Sequence, residues 1–200
     1  ASAVPPCQAY DPAFSYELGV IVEDGLKRMF VDNEDIFYYL AVYNENYLQP
    51  AAPSDLDHGA LLAGLYRFAA APSDHSCGAT IIFSGPAQAA ARSAVDLLAE
   101  NHDVGADLWS ATSFKALRDE ALSVERHNLL HPEGPVRVPF VTSQLGRGTG
   151  PVVAVTDFMR SVPDQISRWV GRDYASLGTD GFGRSDTRER LREHFEVTAE

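Results

Sequence analysis

The chain has 200 residues, of which 45% are hydrophobic and 22% are charged, a composition that suits a folded globular protein with one full core and part of a second. Acidic residues outnumber basic residues 28 to 16, and the formal charge of −12 argues against a surface built for nucleic acid or anionic lipid, because both need clustered Lys and Arg. The cysteines, Cys7 and Cys77, lie outside any metal-binding spacing and no apolar run reaches the ~20 residues of a membrane span, so we expect reduced thiols and a cytoplasmic chain without a membrane partner.

The first 49 residues are predicted to be the end of a larger α/β domain. Asp11-Pro12 places a capping side chain before a proline at the first helical position, which is typical of a helix start. Residues 36–43 (IFYYLAVY) are mainly β-branched and aromatic, which indicates a strand buried on both faces of a parallel sheet. The apolar residues between them recur at helical spacing: Phe14, Leu18, Ile21, Val22 and Leu26. One helix and one strand bury too little surface for a core, so we expect further protein to complete this domain.

Residues 50–78 are predicted to be a linker with one short helix. Pro50 and Pro53 interrupt regular structure, and Ser54-Asp55 suits the start of a new helix, which we place over residues 58–68. Residues 69–78 form a second break. We therefore place the domain boundary near Pro50.

Residues 79–200 are predicted to alternate strands and helices. The strands cover residues 79–84, 106–110, 136–142, 151–156 and 174–177. One helix begins at Gly85-Pro86, and three others cover residues 114–129, 158–170 (interrupted at Pro163) and 186–195. This alternation gives right-handed crossovers and a mostly parallel sheet with helices on both faces. The fold class is therefore α/β, preceded by the end of a second α/β domain.

Inspection of the motifs finds no complete active site. The sequence contains no GxGxxG after a strand, no GxxxxGK[ST] and no GxSxG, so a nucleotide loop or a nucleophilic serine has no support. Residues 178–183 (GTDGFG) resemble a phosphate loop, but their glycines more simply permit a tight turn, in which Asp180 bonds local amides. His127 and His131 have the spacing of paired metal ligands, but a third ligand is missing and Pro132 follows. Two solvated histidines near a helix end are the better explanation.

The most chemically suggestive segment follows the predicted strand over residues 36–43. Ligands of open α/β sheets gather beyond the carboxyl ends of strands, so this segment could orient a polar substrate. The competing interpretation is that its side chains satisfy backbone groups at the domain junction. We leave both open for the candidate cleft residues, which are Tyr43, Asn44, Glu45, Asn46 and Tyr47.

Several blocks, taken in order, resemble the C-terminal region of the homodimeric type of pyruvate dehydrogenase E1. YDPAFSYE, EDGLKRMF and DIFYYLAVYNENYLQP resemble the end of the pyrimidine-binding domain of that family. ATIIFSG, GADLWSATSF, ERHNLLHPEGPVRVPFVT, GPVVAVTDFMRSVPDQI and GTDGFGRSDTRERLREHFEV resemble its transketolase-type C-terminal domain. GTDGFGRSD alone also fits transketolases, whereas RHNLLHP and YNENY favour the E1 branch.

The resemblance implies a subunit that decarboxylates pyruvate on thiamine diphosphate and passes the acetyl group to a lipoyl domain of E2. In that family the cofactor lies between two protomers, and a GDG-to-Asn motif holds Mg²⁺. No position here matches that motif or the glutamate that activates the aminopyrimidine. We therefore assign no catalytic, cofactor-binding or metal-binding residue, and we expect this chain alone to bind no cofactor and to be inactive.

The same resemblance implies three partners: the remainder of E1, a second E1 protomer and the lipoyl-bearing E2. Both ends of the chain resemble cuts, because the family continues beyond HFEV, so we expect either a trimmed piece or one subunit of a split enzyme. Two alternatives stay open. One is a non-catalytic assembly or regulatory module of the same fold, and the other is an E1 or transketolase that acts on another 2-oxo acid or on a ketose.

Overall fold

The N-terminal part of the chain forms a two-stranded parallel sheet with one helix. In the computed structural model, which describes residues 1–72 and 74–200, strand β1 (Cys7–Tyr10) and strand β2 (Phe37–Leu40) are joined through helix α1 (Ser15–Leu26). A π-helical turn, Lys27–Val31, extends α1. Tyr10 of β1 packs with Ile21 of α1, so one face of the strand pair is covered by this helix.

The rest of the chain forms one five-stranded sheet with its helices. In chain order the elements are α2 (His58–Ala63), β3 (Tyr66–Ala69), β4 (Cys77–Phe83), α3 (Gln88–His102), β5 (Val104–Ser110), α4 (Phe114–Leu130), α5 (Phe140–Leu145), β6 (Val152–Val155), α6 (Ser167–Val170), β7 (Tyr174–Leu177) and α7 (Arg188–His194). The strand order is β3-β5-β4-β6-β7. β3 pairs antiparallel with β5, and every other pair in this sheet is parallel.

Apolar side chains cover both faces of this sheet, which confirms the predicted α/β class. On one face Ile82, Trp109 and Val152 pack against α4, α5 and α6. On the other face Phe83 and Leu108 pack against α3 and against the residues that precede α1. In the described ranges, none of the helices is long and apolar enough to cross a membrane.

One predicted strand is wrong. Residues 136–142 contain no strand; α5 begins at Phe140, and the preceding residues run as an irregular segment. The Asn128 side chain pairs with the backbone of Arg137, because its Nδ2 donates to the Arg137 carbonyl at 2.8 Å and its Oδ1 accepts from the Arg137 amide at 2.9 Å. A side chain thus takes the backbone bonds that a neighbouring strand would have provided.

Three further predictions need correction. The strand predicted over residues 36–43 is shorter and half exposed, with Phe37 at 49% and Tyr39 at 55% exposure rather than buried on both faces. The helix predicted over residues 58–68 ends at Gly64, whose φ of 107° turns the chain into β3. The helix predicted over residues 158–170 is limited to a 3-10 turn that opens at Pro163 and the single turn of α6.

Candidate functional site

The candidate site lies at the carboxyl ends of β4 and β6. The chain runs from β4 to β5 on one side and later returns to β6 on the other, so β4 and β6 flank the point where the strand order reverses. Beyond these ends the Ser84 hydroxyl donates to Thr156 Oγ1 at 2.9 Å, and both side chains are buried. Crevices of this kind are the usual ligand sites of open α/β sheets.

Protein side chains fill this crevice instead of leaving it open. They come from residues 43–47, which we call the strap, and from the turn before α1. The Tyr43 hydroxyl donates to Asp11 Oδ1, and the Tyr47 hydroxyl donates to the Ala13 carbonyl. The strap is therefore tied to the turn, and the turn lies on the sheet because the Asp11 carbonyl accepts from the Gly85 amide at 3.2 Å.

A second set of contacts joins the strap to α7. Glu45 accepts two bonds from Arg192, at 2.9 and 2.7 Å, in the bidentate geometry that makes guanidinium–carboxylate pairs strong. Arg192 also lies 3.6 Å from the Asp157 carboxylate beyond β6, and Arg188 donates to Asn44. The side chains of Arg192 and Glu45 are 22% and 24% exposed, so water screens this pair only in part.

These contacts account for four of the five predicted cleft residues. Tyr43, Asn44, Glu45 and Tyr47 each bond to the turn before α1 or to α7, whereas Asn46 is exposed. The geometry favours the interpretation in which the segment satisfies polar groups at a junction between two parts of the chain. A contact with substrate stays a prediction for these residues.

Burial and charge act in opposite directions on the carboxyl groups of the junction. Burial raises the pKa of Asp11 to about 6, although the bond from Tyr43 opposes the shift. Burial also raises the pKa of Asp157. The bonds from Arg192 instead lower the pKa of Glu45. At the junction, Arg192 therefore favours the charged form of Glu45, whereas burial disfavours the charged forms of Asp11 and Asp157.

Sequence reasoning missed a buried carboxyl group, Glu17 in the first turn of α1. Its side chain is fully buried and accepts from the amides of Ala13 and Phe14 at 2.5 and 3.0 Å, and from the hydroxyls of Tyr66 and Ser110 at 2.7 Å each. Burial raises the pKa of Glu17, and all four bonds oppose that shift. A Glu that reaches back to the amides at a helix start is a recognised capping signal, but the apolar Phe14 at the cap position concealed it.

The other candidates have contacts that fit structural roles. Asp180 accepts from the amide and Nε of Arg160 at 2.9 and 2.5 Å, so the glycine-rich loop is fastened to the loop after β6 rather than to its own amides. The rings of His127 and His131 stack with centroids 4.2 Å apart. Over residues 1–72 and 74–200, no group of three His, Cys, Asp or Glu residues is placed to hold a metal ion.

Two family models match the chain in order. The model described as the pyruvate dehydrogenase E1 component middle domain matches residues 1–50, and the model described as the transketolase-like C-terminal domain matches residues 64–198. The pyruvate dehydrogenase E1 components of Mycolicibacterium smegmatis and Mycobacterium tuberculosis are 50% and 48% identical to this chain over 201 residues. Each match covers 100% of this chain and 22% of the relative, so the chain spans about a fifth of the length of these curated relatives.

Solved structures support the same fold. A transketolase from Campylobacter jejuni has a TM-score of 0.64 at 15% identity and covers 98% of this chain with 25% of its own. A transketolase from Leishmania mexicana has a TM-score of 0.61 at 18% identity and covers 99% of this chain with 24% of its own. At these identities the likeness concerns the fold alone. The family model that matches residues 64–198 and the 50% identity to the Mycolicibacterium smegmatis protein establish that this chain belongs to the transketolase-like C-terminal domain family, in the form found in pyruvate dehydrogenase E1 components.

Proposed function

We propose that this chain is the C-terminal part, or a split subunit, of a pyruvate dehydrogenase E1 that decarboxylates pyruvate oxidatively and transfers the acetyl group to a lipoyl-bearing E2. The observation that carries the proposal is the 50% identity to an E1 component over the whole chain, with matches to the middle domain and the C-terminal domain in the same order. The proposal includes a second E1 protomer, as in the homodimeric type of this enzyme.

The residues described here do not fit thiamine diphosphate or Mg²⁺. Among the described residues, no three Asp, Glu, His or Cys side chains are placed to hold a metal ion. The crevice at the carboxyl ends of β4 and β6 is occupied by Tyr43 and Asp11. In the proposed enzyme the cofactor is therefore held by the remainder of E1. We propose no catalytic role for the residues of this chain. Its contribution is to hold the middle domain on the C-terminal domain through the strap.

An uncovered apolar face supports the presence of further protein. Parallel strands are normally covered on both faces, but the face of β1 and β2 opposite α1 borders a cavity of about 600 Å³. The strands contribute Cys7, Ala9, Phe37 and Tyr39 to this cavity, and the C-terminal domain contributes Phe114, Phe158 and Val162 among others. We propose that the remainder of the middle domain fills this cavity and completes the layer.

The test is an activity measurement on the complete protein expressed from the coding region that contains these 200 residues, with a separate subunit co-expressed if the enzyme is split. With thiamine diphosphate, Mg²⁺, pyruvate and a lipoyl domain, we expect release of CO₂ and acetylation of the lipoyl group. A folded complex that turns over no 2-oxo acid and no ketose would reject the proposal in favour of the assembly module. Turnover of a ketose or of another 2-oxo acid, but not of pyruvate, would assign the alternative substrate class.

The role of the strap is tested in the same complete enzyme. Glu45→Gln keeps the shape of the side chain but removes the charge that Arg192 neutralises, so we expect a lower midpoint of thermal unfolding and reduced turnover. Asn46→Ala is the matched control, because Asn46 lies in the same segment but is exposed. A larger loss of turnover at Asn46 than at Glu45, without loss of stability, would instead support a direct contact between the strap and the substrate.

A further inference from the structure

Asp11 occupies an unusual position at the junction. Its backbone is bonded to the C-terminal domain, because its amide donates to the Thr112 carbonyl at 2.8 Å and its carbonyl accepts from Gly85. Its side chain faces the strap, where Oδ1 accepts from the Tyr43 hydroxyl. Its second oxygen, Oδ2, is buried and has no hydrogen-bond partner in the part of the chain that the structure describes. A buried carboxyl oxygen without a hydrogen-bond partner costs most free energy while the group is charged.

The charged groups around Asp11 are mostly negative. Asp157 approaches from the end of β6 and Glu17 from α1, and both disfavour a charge on Asp11. At the junction, Arg192 of α7 forms ion pairs with Glu45 and Asp157. Among the described residues, Asp11 forms no ion pair. The hydrogen bond to its side chain comes from a neutral group, the Tyr43 hydroxyl.

We propose that Asp11 is the positioning residue of this junction, and that the strap is held more tightly when the Asp11 carboxyl group carries a proton. A neutral carboxyl group ends the repulsion from Asp157 and Glu17. It also removes the cost of a charged Oδ2 that has no donor, while Oδ1 continues to accept from Tyr43. The proposal rests on the proposed function only in that it is tested in the complete E1.

The pH dependence of strap closing follows from the difference between the pKa of Asp11 in the closed state and its pKa in the open state. Burial raises the pKa of Asp11 to about 6 while the strap is closed, and release of the strap returns the side chain to water and its ordinary value of 3.8. A carboxyl group whose pKa is raised in the closed state favours that state at low pH and disfavours it as pH rises through the closed-state value. Between pH ~7.5 and pH ~5 the closing equilibrium should strengthen about tenfold.

Hydrogen exchange of backbone amides in the complete E1 measures this equilibrium. We expect protection factors over residues 41–49, corrected for the intrinsic pH dependence of exchange, to be about tenfold higher at pH ~5 than at pH ~7.5. Asp11→Asn has the shape and the donor of the protonated group but cannot ionise. In this variant the protection should be high at both pH values.

Two further variants make the result decisive. Asp55→Asn removes an exposed carboxylate outside the junction and should keep the wild-type pH dependence. Tyr43→Phe removes the bond between the strap and Asp11 and should lower the protection at both pH values. Equal protection of the wild type at the two pH values, or an unchanged pH dependence in Asp11→Asn, would overturn the proposal. Because exchange is read without turnover, a failure of the proposed enzymatic activity would leave this result standing.

Discussion

The Ser110 hydroxyl at the end of β5 donates to Glu17 Oε1 at 2.7 Å and so joins the sheet to α1 across 93 positions of sequence. The Tyr66 hydroxyl donates to the same oxygen from β3, and Tyr66 is in turn 2.7 Å from the Tyr16 hydroxyl. One buried carboxyl group thus connects the helix of the N-terminal layer to two strands of the C-terminal sheet.

Substitution Glu17→Gln should destabilise this connection. A carboxylate can accept all four donors, whereas an amide has one acceptor oxygen and turns its own donors toward the others, which leaves buried donors unsatisfied. We expect a loss of about 2–4 kcal/mol, measured as a lower midpoint of thermal unfolding of the complete E1. Glu23→Gln on the exposed side of α1 is the control and should change the midpoint little. Equal midpoints for the two variants would show that the network contributes nothing.

Arg172 fastens the loop before β6, and its geometry leads to a second prediction. Its Nε donates to the Gly150 carbonyl at 2.8 Å, and its other nitrogens donate to Thr80 Oγ1 at 3.0 Å, the Leu145 carbonyl at 3.1 Å and the Thr149 carbonyl. Lysine has no planar fork, so Arg172→Lys should leave several of these carbonyls without a donor. We expect a loss of about 1–3 kcal/mol and faster hydrogen exchange over residues 146–151.

The control for Arg172→Lys is Arg147→Lys, because Arg147 is exposed in the same loop. It should change the free energy of unfolding by less than about 0.5 kcal/mol and leave the hydrogen exchange over residues 146–151 unchanged. Unchanged exchange in the Arg172 variant would contradict the assigned role.

The sequence predicted those parts of the fold whose signal is local. Four strands of the C-terminal sheet, from β4 to β7, follow from short apolar runs between turn residues. The position of the strap beyond a strand was also predictable, because the order of residues determines it. Strand β1 was missed because its four residues, CQAY, include only one strong strand former, Tyr10, and because its pairing with β2 joins residues that are distant in sequence.

Other features depend on distant partners and could not be derived from local pattern. The segment 136–142 has the composition of a strand, but the backbone of Arg137 within it bonds to the Asn128 side chain. The burial of Glu17 depends on Ser110 and Tyr66, which no local pattern connects to it. The attachment of Glu45 to Arg192 across 147 residues likewise required the three-dimensional structure.

The uncovered face of β1 and β2 gives a third prediction, which compares two exposed phenylalanines. Phe158 borders the cavity at that face and is 38% exposed, whereas Phe182 is 95% exposed on the glycine-rich loop. If the remainder of the middle domain fills the cavity, Phe158→Asp places a charge in a buried apolar contact. It should then lower the free energy of unfolding of the complete E1 by about 2 kcal/mol or more. Phe182→Asp should cost less than about 0.5 kcal/mol.

A crosslinking measurement identifies what covers that face. A photoreactive benzophenone side chain at position 158 should link to a peptide of the middle domain within the same protomer, which mixed isotope labelling can distinguish from a link between protomers. Links between protomers, or equal stability of Phe158→Asp and Phe182→Asp, would show that another element covers this face or that it is open.

The ion pair between Glu45 and Arg192 gives the last prediction, whose pH dependence is opposite to that of Asp11. Because the bonds from Arg192 lower the pKa of Glu45, the pair stabilises the closed strap above the ordinary pKa of 4.5, and this stabilisation is lost as pH falls through the lowered value. A double-mutant cycle with Glu45→Gln and Arg192→Gln should therefore show a coupling free energy of about 1–2 kcal/mol at pH ~7 that decreases as the pH falls below 4.5 and disappears below the lowered pKa of Glu45. Each single variant leaves the remaining charge without this partner. The sum of the two losses of stability in the single variants should therefore exceed the loss in the double variant. A coupling near zero at neutral pH would mean that this ion pair does not hold the strap, which would then depend on the bonds of Tyr43 and Tyr47 to Asp11 and Ala13 and on the bond from Arg188 to Asn44.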